Sequence, residues 1–316
     1  MLAYILRRLL LMIPVLLIVA VIIFSLIHIT PGDPAAVMAG EDATVQQIED
    51  MRERLGLNEP LHIQFLDWFA NAMRGDFGES IFLRQPVTEA IRDRVQPTLA
   101  LTIYSLTLAV LIAVPSGVIA AVRRNSIIDR LLMVMSISGA AVPGFFFGIM
   151  LILIFAVILG WLPSGGYVNI EDDPVEHFKL MILPTIALGF SAAGLLARMV
   201  RSTMLDVLNE DYVRTAYAKG LPNRGVILRH ALRNALIPAM TVLGVSLAGL
   251  LGGAVVIETV FNLPGMGRLV VQSIGRRDFP VIQGVVLITA VIQVLAMLLV
   301  DVLYVYVDPR VRYGSE

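Results

Sequence analysis

LLLMIPVLLIVAVIIFSLIHI, residues 9–29, is an apolar run without a single Asp, Glu, Lys or Arg. A helix that crosses the hydrocarbon core of a bilayer needs about 20 mostly apolar residues, so this run is long enough to span. Arg7 and Arg8 precede it, which would also suit a secretory signal. However, the run exceeds the roughly 7–15 residues of a signal's apolar core, and no Ala-x-Ala cleavage site follows at once. It reads as a retained anchor helix. Five stretches of the same kind follow, at about Thr98–Val122, Leu131–Leu159, Leu180–Ala197, Ala235–Ile257 and Val281–Tyr304. The fold class expected is therefore an all-α integral membrane protein with six transmembrane helices.

Composition agrees with that reading. Of 316 residues, 57% are apolar, and the 25 glycines bring the total to about 65%. Soluble domains carry roughly 45–50% on that measure and about 25% charged residues, against 16% charged here. A soluble enzyme, a disordered linker and a nucleic-acid binder are excluded. Cysteine is absent, which removes disulfides, thiolate metal sites and Cys nucleophiles.

Basic residues in the connecting segments orient the spans. Arg7 and Arg8, then Arg123, Arg124 and Arg130, then seven basic residues in 198–234, then Arg310 and Arg312 mark the cytoplasmic side. Segment 30–97 carries 12 acids against 6 basic residues, and 160–179 carries four acids against Lys179, so both are expected outside. Arg268, Arg276 and Arg277 in 258–280 are the one contrary vote. Both termini are expected in the cytoplasm. The organisation predicted is an N-terminal segment and first helix (1–29), an extracytoplasmic loop domain of short helices (30–97), and a five-helix core (98–316).

Catalytic signatures are missing. The four histidines, at 28, 62, 177 and 230, are too scattered for a paired zinc site. Ser164-Gly165-Gly166 lacks the nucleophile-elbow pattern and reads as a flexible turn. A membrane-bound hydrolase would need a nucleophile–base pair, and none is apparent. Neither Lys179 nor Lys219 stands in a Gly-Lys-Ser/Thr phosphate loop, so any ATP-driven work requires another chain. Ion-coupled transporters place ionisable groups near the bilayer midplane, and the middles of these spans hold essentially none. His28, Glu258 and Asp301 stand towards span ends and read as interfacial or inter-helix partners. Pro143-Gly144, in the third span, is a candidate break in the translocation path or a packing kink.

Segment 206–234 is the most informative. Asn209 is placed to cap a helix with Glu210 and Asp211 in its first turn. Lys219 suits its C-terminal end, and Gly220 is the expected left-handed stop. Pro222 then opens a second short helix. In it Ile227/Ala231 and Leu228/Leu232 form an apolar stripe. Physics alone allows two readings of this hairpin: it lies at the lipid headgroups, or it docks a cytoplasmic partner.

The stretch Asp211-Tyr212-Val213-Arg214-Thr215-Ala216-Tyr217-Ala218-Lys219-Gly220-Leu221, with Arg229-His230-Ala231-Leu232-Arg233-Asn234-Ala235-Leu236-Ile237-Pro238, resembles the coupling motif of ABC importer permeases. The likeness is to the dipeptide/oligopeptide/nickel permease family, of the first-permease, dipeptide permease B-like type, with glutathione permease subunits as close relatives. Further family-like segments occur in order along the chain. They are Thr30-Pro31-Gly32-Asp33-Pro34, Leu55-Gly56-Leu57-Asn58-Glu59-Pro60-Leu61, Arg74-Gly75-Asp76-Phe77-Gly78, Gly160-Trp161-Leu162-Pro163, Phe261-Asn262-Leu263-Pro264-Gly265-Met266-Gly267 and Asp308-Pro309-Arg310-Val311-Arg312. The chain departs from the broad motif at Arg214-Thr215, where Glu-Ala is usual, at Tyr217, where Arg is usual, and at Arg233, where Pro is usual.

The resemblance implies the type I importer permease fold in a bacterial inner membrane. It implies half of a translocation path for peptides handed over by an extracytoplasmic binding protein. It also implies a paralogous second permease and two cytoplasmic ATPases that hold the ATP and Mg, with no cofactor, metal or nucleic acid on this chain and no enzymatic activity of its own. The residues implied in coupling to the ATPases are Tyr212, Arg214, Ala216, Lys219, Gly220, Leu221 and Arg224. The alternative is an ion-coupled secondary transporter or channel.

Overall fold

The computed structural model describes residues 2–30, 33–39, 43–54 and 56–307. Pro31-Gly32, Leu55 and the terminal Asp308–Arg312, including the arginines used for orientation, lie outside the described residues. Among the described residues, helices are joined by turns and loops, and the β-pairing seen is one isolated bridge between Glu79 and Pro86. The helices are α1 (Leu2–Ile29), α2 (Pro34–Ala39), α3 (Val45–Arg54), α4 (Leu61–Met73), α5 (Val87–Val122), α6 (Ile127–Ala141), α7 (Gly144–Leu151), α8 (Pro174–Leu208), α9 (Asp211–Ala218), α10 (Asn223–Gly225), α11 (Leu232–Val260), α12 (Met266–Arg276) and α13 (Phe279–Val307). π-helical segments extend α7 through Ile152–Ile158 and join α10 to α11 through Val226–Ala231.

Five helical runs are long and apolar enough to cross a bilayer: Arg8–Ile29, Val87–Val122, Pro174–Leu208, Asn223–Val260 and Phe279–Val302. The sixth expected span is not one helix. Ile127–Ala141 and Gly144–Ile158 meet at a bend of 105°. The cause is local. A residue before proline is pushed out of the helical region, and Val142 is extended at φ −83°, ψ 124°. Pro143 then opens α7 at φ −57°.

Several helices run beyond the apolar stretches that announced them. α8 has 35 residues, about 52 Å at 1.5 Å per residue, whereas the hydrocarbon core is about 30 Å thick. Its polar ends therefore stand outside the core. Asp173 caps its start, accepting from Val175 N and Glu176 N at 3.0 Å each.

The chain divides into two compact units, 97–264 with 295 onward, and Leu2–Gln96 with Gly265–Val294. In the first unit α8 is the central helix, packed by α6, α7 and α11. Small residues let neighbours approach at backbone distance, the usual device where lipid supplies no hydrophobic drive. A methyl on Gly194 would fall 2.3 Å from Ser136 O of α6, and one on Gly189 would fall 2.8 Å from Ser105 O of α5. Glu258 is fully buried and accepts from Thr98 Oγ1 at 2.5 Å, the inter-helix partner its position suggested.

The segment containing Ser164-Gly165-Gly166 is packed rather than a flexible turn. A Cβ on Gly165 would lie 2.2 Å from Phe261 O, which also accepts from Gly166 N at 2.9 Å. Downstream, buried His177 lies 2.7 Å from Val168 O through Nδ1. A carbonyl only accepts, so Nδ1 carries the proton, and in the neutral ring Nε2 accepts from Tyr104 Oη at 3.1 Å. Tyr167 packs edge-on against the same ring, and burial raises its phenol pKa above the usual value.

In the second unit, Phe77, Val87, Ile91, Leu269, Val281 and Val285 form a core on which Phe65 and Trp68 pack. Asp278 is buried and accepts from Ser80 Oγ at 2.5 Å and from Ile81 N and Phe82 N at 3.3 Å each. The Arg276 guanidinium lies 3.4 Å from the Phe82 ring centroid, a cation–π contact. His28 Nε2 is 3.1 Å from Gln64 Oε1.

Candidate functional site

The hairpin at 206–234 is well defined. α9 buries Val213 and Ala216, three residues apart, against Val226, with Val207 and Leu208 packed alongside. Its end is closed by two backbone hydrogen bonds, Gly220 N to Tyr217 O at 2.9 Å and Leu221 N to Ala216 O at 3.4 Å. These are the paired 5→2 and 6→1 bonds of a Schellman motif. That motif needs a left-handed residue, and Gly220 sits at φ +78°. A Cβ at Gly220 would meet nothing within 4 Å, so within this chain the turn's conformation, not crowding, selects glycine.

Two side-chain hydrogen bonds lock the hairpin. Tyr217 Oη donates to Asn223 Oδ1 at 2.7 Å, across the turn. Asn234 Nδ2 donates to Tyr212 Oη at 2.7 Å, tying α9 to α11. The structure thus brings the sequence-predicted residues onto one small element. Tyr212, Arg214, Lys219, Gly220, Leu221 and Arg224 are exposed, and Ala216 is buried beneath them.

Three details of the sequence reading change. Asn209 does not cap α9. It closes α8, where its Nδ2 donates to Leu205 O at 2.8 Å. α9 starts instead at Glu210, extended at ψ 146° and without a side-chain cap bond. The second helix is not short, because Asn223–Val260 is one continuous run. The apolar stripe also shifts. Val226, Ile227 and Ala231 are buried while Leu228 is 59% exposed, since the π-helical segment inserts an extra residue per turn.

A brace next to the hairpin was not read from the sequence. Arg201 of α8 holds Asp129 of α6 bidentately, with Nε–Oδ1 2.6 Å and Nη2–Oδ2 2.7 Å. Asp129 is 3% exposed and also accepts from Asn125 N at 2.9 Å, while its own N–H donates to Ser126 Oγ at 3.2 Å. The available signal was the N-cap pattern Ser126-x-x-Asp129 and an acid placed among Arg123, Arg124 and Arg130.

A groove of about 460 Å³ lies between the α6–α7 bend, α8 and α11. Gly144 lines it, with Ala187, Ala192, Gly249 and Gly253; Pro143 is the hinge residue immediately before. A methyl on Gly144 would sit 3.8 Å from Ala187 O, an ordinary contact. Close packing therefore does not require glycine there. Arg198 also lines the groove. Counting hydropathy placed it in the inner loop, but it lies inside α8.

Comparison with known proteins fits these features. Residues 113–313 match the family described as binding-protein-dependent transport system inner membrane component, and residues 1–102 match its N-terminal companion. Over 313 residues the chain is 48% identical to the glutathione transport system permease protein GsiC of Salmonella typhimurium strain LT2, covering 99% of this chain and 100% of that one. It is 47% identical, with the same coverage, to GsiC of Escherichia coli strain K12. Its fold resembles a chain of the MetNI methionine ABC transporter in an inward-facing conformation, with TM-score 0.56 and 21% identity over 69% of this chain and 96% of that chain.

Proposed function

The chain belongs to the binding-protein-dependent transport system inner membrane component family, and from that premise we propose that it is one of two permease subunits of an ATP-driven importer for glutathione or small peptides. The carrying observation is the hairpin: a Schellman-closed element whose two lateral hydrogen bonds hold Tyr212, Arg214, Lys219, Leu221 and Arg224 outward. A docking surface must keep its shape under load, and such an element does.

In this reading two cytoplasmic ATPases, which hold ATP and Mg, grip the hairpin. A binding protein delivers solute on the opposite side, and a second, related permease completes the path. Both termini of this chain face the cytoplasm of a bacterial cell. ATP binding draws the ATPases together, and the hairpins move with them. α8, continuous up to the hairpin, carries the movement to the groove, and hydrolysis resets the cycle. Full-length similarity to glutathione permeases supports the substrate class. No observation favours an ion-coupled transporter or channel.

The absence of native cysteine makes the test clean. Single cysteines at Lys219, Arg224 and, as an outer control, Phe82 are introduced into the assembled transporter in membranes and treated with a short bifunctional thiol–amine reagent. Crosslinks from 219 and 224 to the ATPase subunits, and none from 82, are expected. If 219 and 224 react only with lipid-exposed reagent and never link to an ATPase, the reading fails.

A further inference from the structure

We propose that the groove between α7, α8 and α11 binds the carboxylate of the transported solute, and that Arg198 is the residue that takes it. This rests on the importer reading above and narrows its substrate chemistry.

The groove is mostly apolar, with few polar groups. Two of these, on facing helices, are buried and lack a hydrogen-bond partner among the described residues: Arg198 Nε on α8 and Ser246 Oγ on α11. No described hydrogen bond or ion pair engages Arg198 elsewhere. A guanidinium is always charged, has five N–H donors and accepts nothing. A dry, unpaired donor on such a group is costly.

The chemistry missing from this site is thus an anionic acceptor. The same helix shows how that acceptor is held. Three residues on, Arg201 takes the Asp129 carboxylate through its Nε and Nη2 edge, at 2.6 and 2.7 Å. Arg198 presents the corresponding Nε without a partner. Ser246 Oγ–H supplies a further donor from the opposite wall. A carboxylate offers two oxygens to that fork, whereas a neutral amide offers one and carries a donor that Arg198 cannot accept. The other walls combine small residues such as Ala187 and Gly249 with larger apolar ones such as Phe145 and Leu188, and the space they enclose is about 460 Å³, within the roughly 300–1,000 Å³ typical of small-molecule sites. A carboxylate of the partner permease would be the same chemistry from another source, and the experiment separates the two.

The assembled complex of this chain, its partner permease and the ATPases is placed in lipid nanodiscs without the binding protein. Binding of glutathione and of its diamide is measured by calorimetry for wild type, Arg198→Gln, Arg198→Lys and Ser246→Ala. Wild type is expected to prefer the acid. Arg198→Gln should lose about tenfold for the acid and nothing for the diamide, with Arg198→Lys in between, since an ammonium keeps charge but not the fork. Ser246→Ala should lose about threefold for the acid alone, and it carries the test if Arg198→Gln does not assemble. Equal affinity of wild type for acid and diamide overturns the inference. So does a loss in Arg198→Gln that is the same for both ligands, which would assign Arg198 to a protein partner. Uptake by the wild-type transporter with its binding protein is measured in parallel. If neither glutathione nor a dipeptide enters, the importer reading's substrate class fails, and this inference fails with it. If glutathione enters but the diamide contrast is absent, only the carboxylate site fails.

Discussion

Gly220 offers the sharpest probe of the proposed coupling role of the hairpin, because the structure separates what its conformation needs from what its surroundings need. Its φ of +78° lies in the left-handed region, which costs an L-residue roughly 1–2 kcal/mol. Nothing lies within 4 Å of where a Cβ would stand, so no clash inside the chain adds to that cost. A penalty of 1–2 kcal/mol changes a local population by a factor of about 5–30. Only the turn should respond, since α9's buried contacts of Val213 and Ala216 on Val226 are untouched. The series Gly220→Asn, Ala and Val grades the strain, because Asn tolerates the left-handed region and a β-branched residue is an outlier there. In proteoliposomes with binding protein and ATP, uptake per ATP hydrolysed should stay near wild type for Asn, fall about tenfold for Ala and nearly vanish for Val. Membrane insertion and co-purification of the permease pair should be unchanged. Wild-type uptake by Gly220→Val would refute the coupling role of this turn. Failure of Asn as complete as that of Val would show that a partner surface excludes any side chain there, so that contact rather than backbone shape selects glycine.

Other substitutions test the frame around the hairpin. Gly194→Ala puts a methyl 2.3 Å from Ser136 O, so α6 and α8 must separate; a clear fall in Tm in detergent is expected, whereas Gly252→Ala, with nothing within 4 Å, should leave Tm unchanged. Asp129→Asn strips the charge partner from Arg201. Its destabilisation should approach the about 3–5 kcal/mol typical of breaking one side of a buried pair, and the double variant Asp129→Asn/Arg201→Gln should recover part of it in chemical-denaturation curves. Asn234→Ala removes the 2.7 Å bond to Tyr212 Oη, worth about 1 kcal/mol. Faster amide exchange confined to 211–222 should follow.

The spans were legible because apolar composition is a bulk property, and any order of Leu, Ile and Val satisfies it. Where helices stop was less legible, because stopping depends on single contacts. Gly220 was readable since a left-handed stop has few residue choices. Asn209 was misread because the same side chain caps a starting helix or closes a finished one, and only the length of α8 decides between them. Pro143 announced a break but not its 105° size, which depends on remote partners of α7 such as Phe261, whose ring would lie 3.0 Å from a methyl on Gly148. Arg198 was lost to the loop because hydropathy assigns a charge to whichever segment it ends, whereas a helix carries it inward.

α8 shows why groove and hairpin need to be considered as one device. It lines the groove with Ala187 and Arg198, is braced to α6 by Arg201, and ends at Leu208, two residues before α9 begins to form. From Ala187 to Leu208 is about 32 Å at 1.5 Å per residue. A continuous helix of that length transmits displacement along its axis, provided its neighbours hold it at defined points. Gly189 against α5 and Gly194 against α6 are such points, and both are backbone contacts that allow sliding or pivoting but not loosening. Under the proposed coupling, a pull at Tyr212–Arg224 reaches Arg198 through one continuous helix held at these closely packed crossings. Adding a methyl at Gly194 should then impair transport more than the fall in stability alone accounts for, because it removes a pivot as well as a contact.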